Sequence, residues 1–438
     1  MRKAARRIVE KLRINGHEAF FAGGWVRDFL LRRKPQDIDI ATSATPEQVM
    51  KLFPHSKDVG AKFGAVQVRV FGHPYDVVTF RSEGPYLDGR HPSKVSFSGP
   101  RQDALRRDFT INGLFYDPVA GRVIDYVHGR ADLQQKVVRT IGDPRERFEE
   151  DKLRMLRAVR LACNLTFEIA PETWDAVKQL TPAIRQVSWE RIGDELIKIL
   201  TGADPGRGLD LLHESGLLAE ILPEVEALHG VEQPSKYHPE GDVFVHTREA
   251  LSLLRKPSPT LALGTLLHDI GKPATFEIKD RIRFHGHSEV GAQIAEEICR
   301  RLRMSNEETE RVVDLVRNHL WFINVPNMRE STLKRFLRKP DIAEHLELHR
   351  VDCLSSHGDL SAWRFCREKL KALEHEPAPL PPLVTGDDLI SLGYHPGPIF
   401  KEILDAVEDL QLEAGLANKE EALDYVRRTF PAPEAQNR

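Results

Sequence analysis

Cysteine is scarce in this chain of 438 residues: four are present, at positions 163, 299, 353 and 366, and none forms a C-x-x-C pair. That excludes a disulfide framework and a zinc ribbon, and fits a reducing compartment such as the cytoplasm. Long hydrophobic runs are missing too. No apolar stretch approaches the ~20 residues needed to cross a bilayer, so no membrane partner is expected. The N-terminal segment MRKAARRIVEKLRINGHEAFF lacks the apolar core and cleavage site of a signal peptide. Its spacing of Ala5, Ile8, Val9 and Leu12 reads instead as an amphipathic first helix. Repeats and low-complexity tracts are absent, which excludes solenoid and fibrous classes.

What is present is an ordinary globular composition, 41% hydrophobic and 29% charged, in a chain too long for one core. The net charge of −3 conceals an asymmetry: residues 1–34 hold ten Lys or Arg against three acids, and residues 374–426 hold twelve acids against two Lys or Arg. A basic head can attract a polyanion, although solvated helix faces account for the same charges. Short apolar stretches at 19–22, 38–41, 65–70 and 75–80 alternate with Gly, Pro and Asp and read as strands. From about Pro144 helical periodicity dominates, and the Pro-rich segment 374–382 reads as a linker.

The densest chemical signal is FFAGGWVRDFLLRRKPQDIDIAT, residues 20–42. Gly23 and Gly24 let the backbone approach a bulky anion, and the helix after them offers its N-terminal dipole and Arg27. Asp37 and Asp39, two apart, are expected on one face of a strand. Like charges that close favour cations between them, and Mg²⁺ is the usual choice in nucleotide transfer. Asp76, polar in the apolar strand PYDVVTF, is positioned to complete the set. A lone Asp-x-Asp usually marks a turn or surface strand. Paired glycines, paired acids and a third acid within eighty residues make that reading inadequate. Farther on, Arg106 and Arg107 suit phosphate oxygens, and Asp108 and Asn112 suit ribose hydroxyls. Asp151 and Arg154, three apart, are expected on one helix face, where an acceptor beside a donor fork matches the edge of cytosine or adenine. The row Arg154, Arg157, Arg160 suggests an anionic partner.

These motifs resemble the class II CCA-adding enzymes and bacterial poly(A) polymerases, members of the DNA polymerase β-like nucleotidyltransferases. The resemblance lies in GGWVRD followed by DID, in the flexible-loop region TFRSEGPYLDGRHPSKVSF, in LRRDFTINGLFYDP, and in DPRERFEEDKLRMLRAVRLA. It implies catalytic Asp37, Asp39 and Asp76 holding Mg²⁺. It also implies a nucleotide-binding set of Gly23, Gly24, Arg27, Arg106, Arg107, Asp108, Asn112, Asp151, Arg154 and Arg157. WERIGDELIKIL, residues 189–200, resembles a further family motif and reads as packing. The middle third holds His246, the pair His268-Asp269, His285, His287, His319 and Asp352. This resembles the HD phosphohydrolases. It implies His246, His268, Asp269 and Asp352 as ligands of a first divalent transition metal or Mg²⁺, with His287 and His319 available to a second; His285 is left out. The tail VTGDDLISLGYHPGPIF resembles that of HD-containing CCA-adding enzymes, with Thr385 capping one helix and Pro398 starting another.

The expected architecture is therefore an α/β head, with a small mixed sheet and helices, followed by a mostly α-helical body that includes an HD-type domain. Expected units are the head at 1–140, a helical neck for nucleotide selection and RNA binding at 141–230, the HD domain at 231–373 and a helical tail at 383–438. The expected activity is template-independent addition of CMP and AMP to tRNA 3′ ends from CTP and ATP, with tRNA as macromolecular partner; a homodimer is compatible with it. Poly(A) synthesis, partial CC- or A-addition, and a phosphohydrolase whose head merely binds RNA remain open alternatives.

Overall fold

The computed structural model describes residues 1–35, 37–60, 64–84, 95–234, 241–374, 381–413 and 415–430. Part of the flexible-loop region and most of the Pro-rich segment at 374–382 lie outside them.

The head comprises α1 (Arg2–Ile14), β1 (Ala19–Ala22), α2 (Gly24–Leu30), β2 (Asp39–Thr42), α3 (Pro46–Leu52), β3 (Lys57–Gly60), β4 (Ala65–Val70), β5 (His73–Thr79), β6 (Arg81–Glu83), β7 (Val95–Phe97), α4 (Pro100–Leu105), a 3₁₀ turn at Thr110–Asn112, β8 (Phe115–Asp117), β9 (Arg122–Ile124) and α5 (Gly129–Gln135). Among the described residues, seven strands form one mixed sheet in the order β3-β4-β5-β2-β1-β8-β9. All neighbours are antiparallel except β2 and β5. Alternation along the strands sends Phe21, Ile40, Val66 and Val77 into one apolar cluster, shared with Ile8, Val9 and Leu12 of the amphipathic α1. Phe20, Ala22 and Ala41 point to the opposite face, where Phe80 and Phe115 pack.

The body continues through β10 (Val137–Val138), α6 (Pro144–Glu150), α7 (Leu153–Leu165), β11 (Glu168–Ile169), α8 (Pro171–Leu180), α9 (Trp189–Leu200), α10 (Pro205–Glu214), α11 (Leu217–Ile221), α12 (Pro223–Glu226), α13 (Val243–Ser252), α14 (Pro259–Leu267), β12 (Phe276–Ile278), β13 (Ile282–Phe284), α15 (His287–Arg301), α16 (Asn306–Asn318), a 3₁₀ segment at His319–Asn327, α17 (Glu330–Leu337), α18 (Ile342–Leu354), α19 (Ser361–Glu374), α20 (Gly386–Ser391), α21 (Pro398–Leu412) and α22 (Lys419–Thr429). The α7 helix joins the two regions. Its Ala158, Leu161, Ala162 and Leu165 enter the head cluster. Its Met155, Leu156, Val159 and Cys163 enter a core that runs from Phe148 to Val351. A smaller apolar cluster holds the tail, around Leu389, Tyr394, Ile403 and Val426. Thr385 caps α20 with a reciprocal Asp388 bond, and Pro398 opens α21.

Two local expectations are corrected. Asp37 and Asp39 do not share a strand, because β2 begins at Asp39. The partner strand β1 ends at Ala22, opposite Asp39, and the chain then turns at Gly23, so no ladder remains for Asp37. Asp151 and Arg154 do not share a helix either. Asp151 has extended backbone, φ −147° and ψ 103°, and separates α6 from α7. Its Oδ1 accepts from the Leu153 amide at 3.2 Å, a local side-chain bond of the kind that interrupts helices and starts new ones.

Candidate active site

The head sheet, the start of α2 and the inner side of α7 enclose a cleft of ≈ 520 Å³. Its lining includes Gly23, Gly24, Arg27, Asp39, Arg106, Arg107, Asp108, Asn112, Asp151, Arg154, Arg157 and Arg160. The parallel register Ile40↔Val77 sets Asp39 beside Asp76, on the face opposite the buried Ile40 and Val77. Gln67 donates to Asp76 Oδ1 at 3.3 Å. The Asp39 carboxyl is raised above its ordinary pKa: desolvation contributes most, then repulsion from Asp76, with Asp37 adding to it and Arg107 opposing. Asp39 thus feels both other acids although Asp37 lies off the strand. A cation beside Asp39 would relieve that repulsion, but the three carboxylates do not converge within 4.8 Å of one another.

Gly23 is required sterically. Its φ is +67°, and a Cβ there would stand 3.1 Å from an Arg107 terminal nitrogen. Arg107 reaches Asn112 O at 3.3 Å and, with Arg106, shares the buried Asp103 carboxylate. Arg27 donates to Asn112 Oδ1 at 2.8 Å and to Asp28. Asp108 is buried, accepts from the Phe109 amide and Asn112 Nδ2, and pairs with Arg157 at 2.7 Å. Desolvation pushes its pKa up, but Arg157 and these hydrogen bonds outweigh it and leave the pKa lowered.

The row of arginines on α7 needs correction. Each already has a carboxylate partner within the chain: Arg154 pairs with Glu150 at 2.5 Å, Arg157 with Asp108 at 2.7 Å and Arg160 with Glu195 at 2.7 Å. The row therefore does not by itself require an external anion. Nor is residues 189–200 only packing. Its apolar face does pack, but Arg191 donates to Asp151 Oδ2 at 2.8 Å and the buried Glu195 holds Arg160. Arg191 and Glu195 went unrecognised because their partners lie 35 or more positions away in sequence.

The second group forms where α13, the end of α14, the start of α15, the end of α16 and α18 converge. His246, His268 and Asp352 present ligand atoms to one point, and Asp269, His287 and His319 to a second. Asp269 links the two: Oδ2 lies 3.3 Å from His268 Nε2 and 3.7 Å from His246 Nε2, while Oδ1 lies 3.5 Å from His287 and 3.7 Å from His319. His285 lines the adjoining cavity of ≈ 900 Å³ without joining either group.

The imidazoles are set by backbone carbonyls. Nδ1 of His268, His287 and His319 meets Thr265 O at 2.8 Å, Phe284 O at 2.8 Å and Val316 O at 2.6 Å, and His246 Nδ1 faces Ser355 O at 3.4 Å. A carbonyl only accepts, so Nδ1 of His268, His287 and His319 carries the proton and their Nε2 atoms offer lone pairs. Yet His246 Nε2 faces His268 Nε2 at 3.1 Å, and His287 Nε2 faces His319 Nε2 at 3.2 Å. The opposed His287 and His319 lone pairs make no hydrogen bond and a cation between them satisfies both, while His246 Nε2 also lies 3.2 Å from Asp352 Oδ1. Burial lowers the pKa of His287, and that of His319 to about 4, which keeps both rings neutral and ligating near neutral pH. Lys272, missed in the sequence, bonds Asp269 Oδ2 at 2.7 Å and Gln233 at 2.6 Å. Desolvation alone would raise the Asp269 pKa, but Lys272 and His268 hold it well below its ordinary value.

Known families match in the same order along the chain. The poly(A) polymerase head domain matches residues 19–139, the probable RNA and SrmB-binding site of polymerase A matches 166–228, and the HD domain matches 243–354. A CCA-adding enzyme of Geobacillus stearothermophilus is 45% identical over 215 residues, covering 49% of this chain and 53% of that protein. The chain thus carries, in order, the head, RNA-binding and HD domains of these families, and its first half is similar to CCA-adding enzymes. Another CCA-adding enzyme, from Anoxybacillus flavithermus, is 43% identical over 224 residues, 51% of this chain and 56% of that protein. The matched region spans about half the length of these curated relatives. The fold agreement reaches farther. The crystal structure of the Bacillus stearothermophilus CCA-adding enzyme in complex with CTP has a TM-score of 0.71 and 28% identity, covering 98% of both chains. A CCA-adding enzyme structure with ATP, 20% identical, covers 97% of this chain with a TM-score of 0.63 and supports the fold alone. The α/β head and HD-containing helical body thus match the fold of that CCA-adding enzyme structure. Among the described residues, no helix is long and apolar enough to cross a membrane.

Proposed function

We propose that the chain is a nucleotidyltransferase that adds CMP and AMP to tRNA 3′ ends, drawing on CTP and ATP with Mg²⁺. The observation that carries this reading is the cleft where Asp39, Gly23, Arg107, Asp108 and the Asp151/Arg154 pair face one another beside Asp76. The CCA-adding enzymes among the relatives, one of them solved with CTP, support the choice of nucleotides.

In this reading Asp37, Asp39 and Asp76 hold the divalent ions. When bound, the ions make a terminal ribose hydroxyl more acidic and neutralise the triphosphate. Gly23 and Gly24 admit the phosphates close to the backbone, and Arg106 and Arg107, anchored by Asp103, supply positive charge to phosphate oxygens. Asp108 and Asn112, braced by Arg157 and Arg27, bind ribose. Asp151 accepts from the exocyclic amino group shared by cytosine and adenine while Arg154 donates to the ring edge. Residues 1–140 thus act as catalytic head, 141–230 as the selecting neck, 231–373 as the HD unit and 383–438 as the tail.

The paired, lone-pair-facing histidines favour a second activity: hydrolysis of phosphate or 2′,3′-cyclic phosphate ends at the HD centre, with two divalent ions of transition-metal type or Mg²⁺. A panel of transcripts tests the first reading: tRNA lacking CCA, tRNA lacking only the final A, and unstructured RNA, each with single nucleotides. CTP incorporation into the first and ATP into the second is expected. Long ATP-only tails on any RNA would overturn it in favour of poly(A) synthesis.

A further inference from the structure

The α9 helix is locked against α7 by Ile192, Leu196, Ile199 and Leu200, which share one core with Met155, Leu156, Val159 and Cys163. Its polar edge carries Arg191 and Glu195, four apart and so on one side. That edge meets the cleft at two lining residues. Arg191 donates to Asp151 Oδ2 at 2.8 Å, and Glu195 Oε2 lies 2.7 Å from Arg160 Nε.

Asp151 lies between helices, where no ladder restrains its side chain. Two fixed donors restrain it instead: the Leu153 amide on Oδ1 at 3.2 Å and Arg191 on Oδ2 at 2.8 Å. Together they set the plane of the carboxylate. Each oxygen accepts more than one hydrogen bond, so a lone pair remains for a ligand. A carboxylate held this way accepts from the exocyclic amino group of cytosine or adenine. It repels the carbonyl oxygen that uracil and guanine carry at the same place. A carboxylate free to turn away loses that repulsion, and discrimination falls with it.

We propose that Arg191, on α9, is the positioning residue that fixes Asp151 as an acceptor and thereby sets nucleotide choice, without itself touching the nucleotide. This rests on the nucleotidyltransferase reading above and adds to it a residue outside the reacting layer.

The test uses the full-length protein and a tRNA transcript lacking CCA. Rates and KM are measured with CTP, ATP, UTP and GTP for wild type, Arg191→Ala, Arg191→Lys, Asp151→Asn and the double variant Arg191→Ala/Asp151→Asn. Arg191→Ala is expected to lower the preference for CTP over UTP by about tenfold or more, the value of a charge-assisted hydrogen bond. The change should lie in KM, rising for CTP and ATP as the fixed acceptor is lost and falling for UTP as the repulsion of its carbonyl is lost. Arg191→Lys should restore part of the preference, since lysine donates but lacks the planar fork. In the Asp151→Asn background the Arg191→Ala change should add little, because it acts through that carboxylate. Unchanged discrimination with a lowered unfolding midpoint would assign Arg191 to stability alone and overturn the proposal, as would full additivity in the double variant. If Arg191→Ala does not fold, Arg191→Lys against Asp151→Asn carries the same coupling measurement. If wild type incorporates no nucleotide at all, the nucleotidyltransferase reading itself fails and takes the proposal with it; loss of coupling in an active wild type refutes only the role of Arg191.

Discussion

Adding Mn²⁺, Co²⁺ or Ni²⁺ to metal-free protein should raise the temperature at which the helical body unfolds. Two pairs of imidazole Nε2 atoms face each other at 3.1 and 3.2 Å, and Asp269 reaches toward both pairs. A metal that binds only the folded site stabilises it by about 2.7 kcal/mol at a concentration 100-fold above Kd. For a cooperative core the size of the one from Phe148 to Val351, each kcal/mol moves the midpoint by about 2–4 °C. The expected rise is therefore roughly 5–10 °C. Its pH dependence follows from the buried rings. His319 has its pKa lowered from 6.5 to about 4, so folding favours its neutral form. The stability of the metal-free protein is then intact above pH 6.5 and falls as pH drops from 6.5 through about 4, because the unfolded chain takes up protons first. The metal-dependent rise should persist to about pH 5, where the folded ring is still unprotonated, and vanish near pH 4. Differential scanning fluorimetry with and without EDTA reads both effects, and His268→Ala should lose the rise. No rise with any of these ions, and no metal retained by mass spectrometry at pH 7.5, would refute the metal-centre reading.

Two further outcomes are expected. Asp151→Ala should relax the choice among CTP, ATP and UTP by about tenfold while slowing turnover less, measured as kcat/KM for each nucleotide; unchanged preference would refute base reading by this residue. Glu195→Gln should lower stability in urea denaturation by about 3 kcal/mol, since it leaves Arg160 with a reduced partner in a largely buried setting; a loss below about 0.5 kcal/mol would show the pair to be dispensable.

The head was legible because its chemistry rests on local rules. Paired glycines, an Asp at the start of one strand and an Asp in its neighbour fall on one face through two-residue alternation, and the parallel register Ile40↔Val77 does the rest. Asp37 misled because the end of β1 at Ala22 is invisible from β2 alone. The α6–α7 break misled because helical spacing continues through it, and only the bond from the Leu153 amide to Asp151 marks the interruption. The partners of Arg157 and Arg160 lie far off in sequence, so the α7 row reads as unsatisfied from sequence although Arg154 has Glu150 four residues away. The six HD residues were legible by identity and order. The grouping of Asp269 with His287 and His319 rather than with the first set, and the carbonyls that turn the rings, depend on how five segments converge.

If Asp39 and its neighbouring acids perform nucleotide transfer, incorporation of labelled CTP into tRNA lacking CCA depends on them. Asp39→Asn should cut incorporation by about a thousandfold or more. Its unfolding midpoint should be unchanged or slightly higher, since repulsion from Asp76 is removed. Incorporation by the folded variant at the wild-type rate would contradict the account.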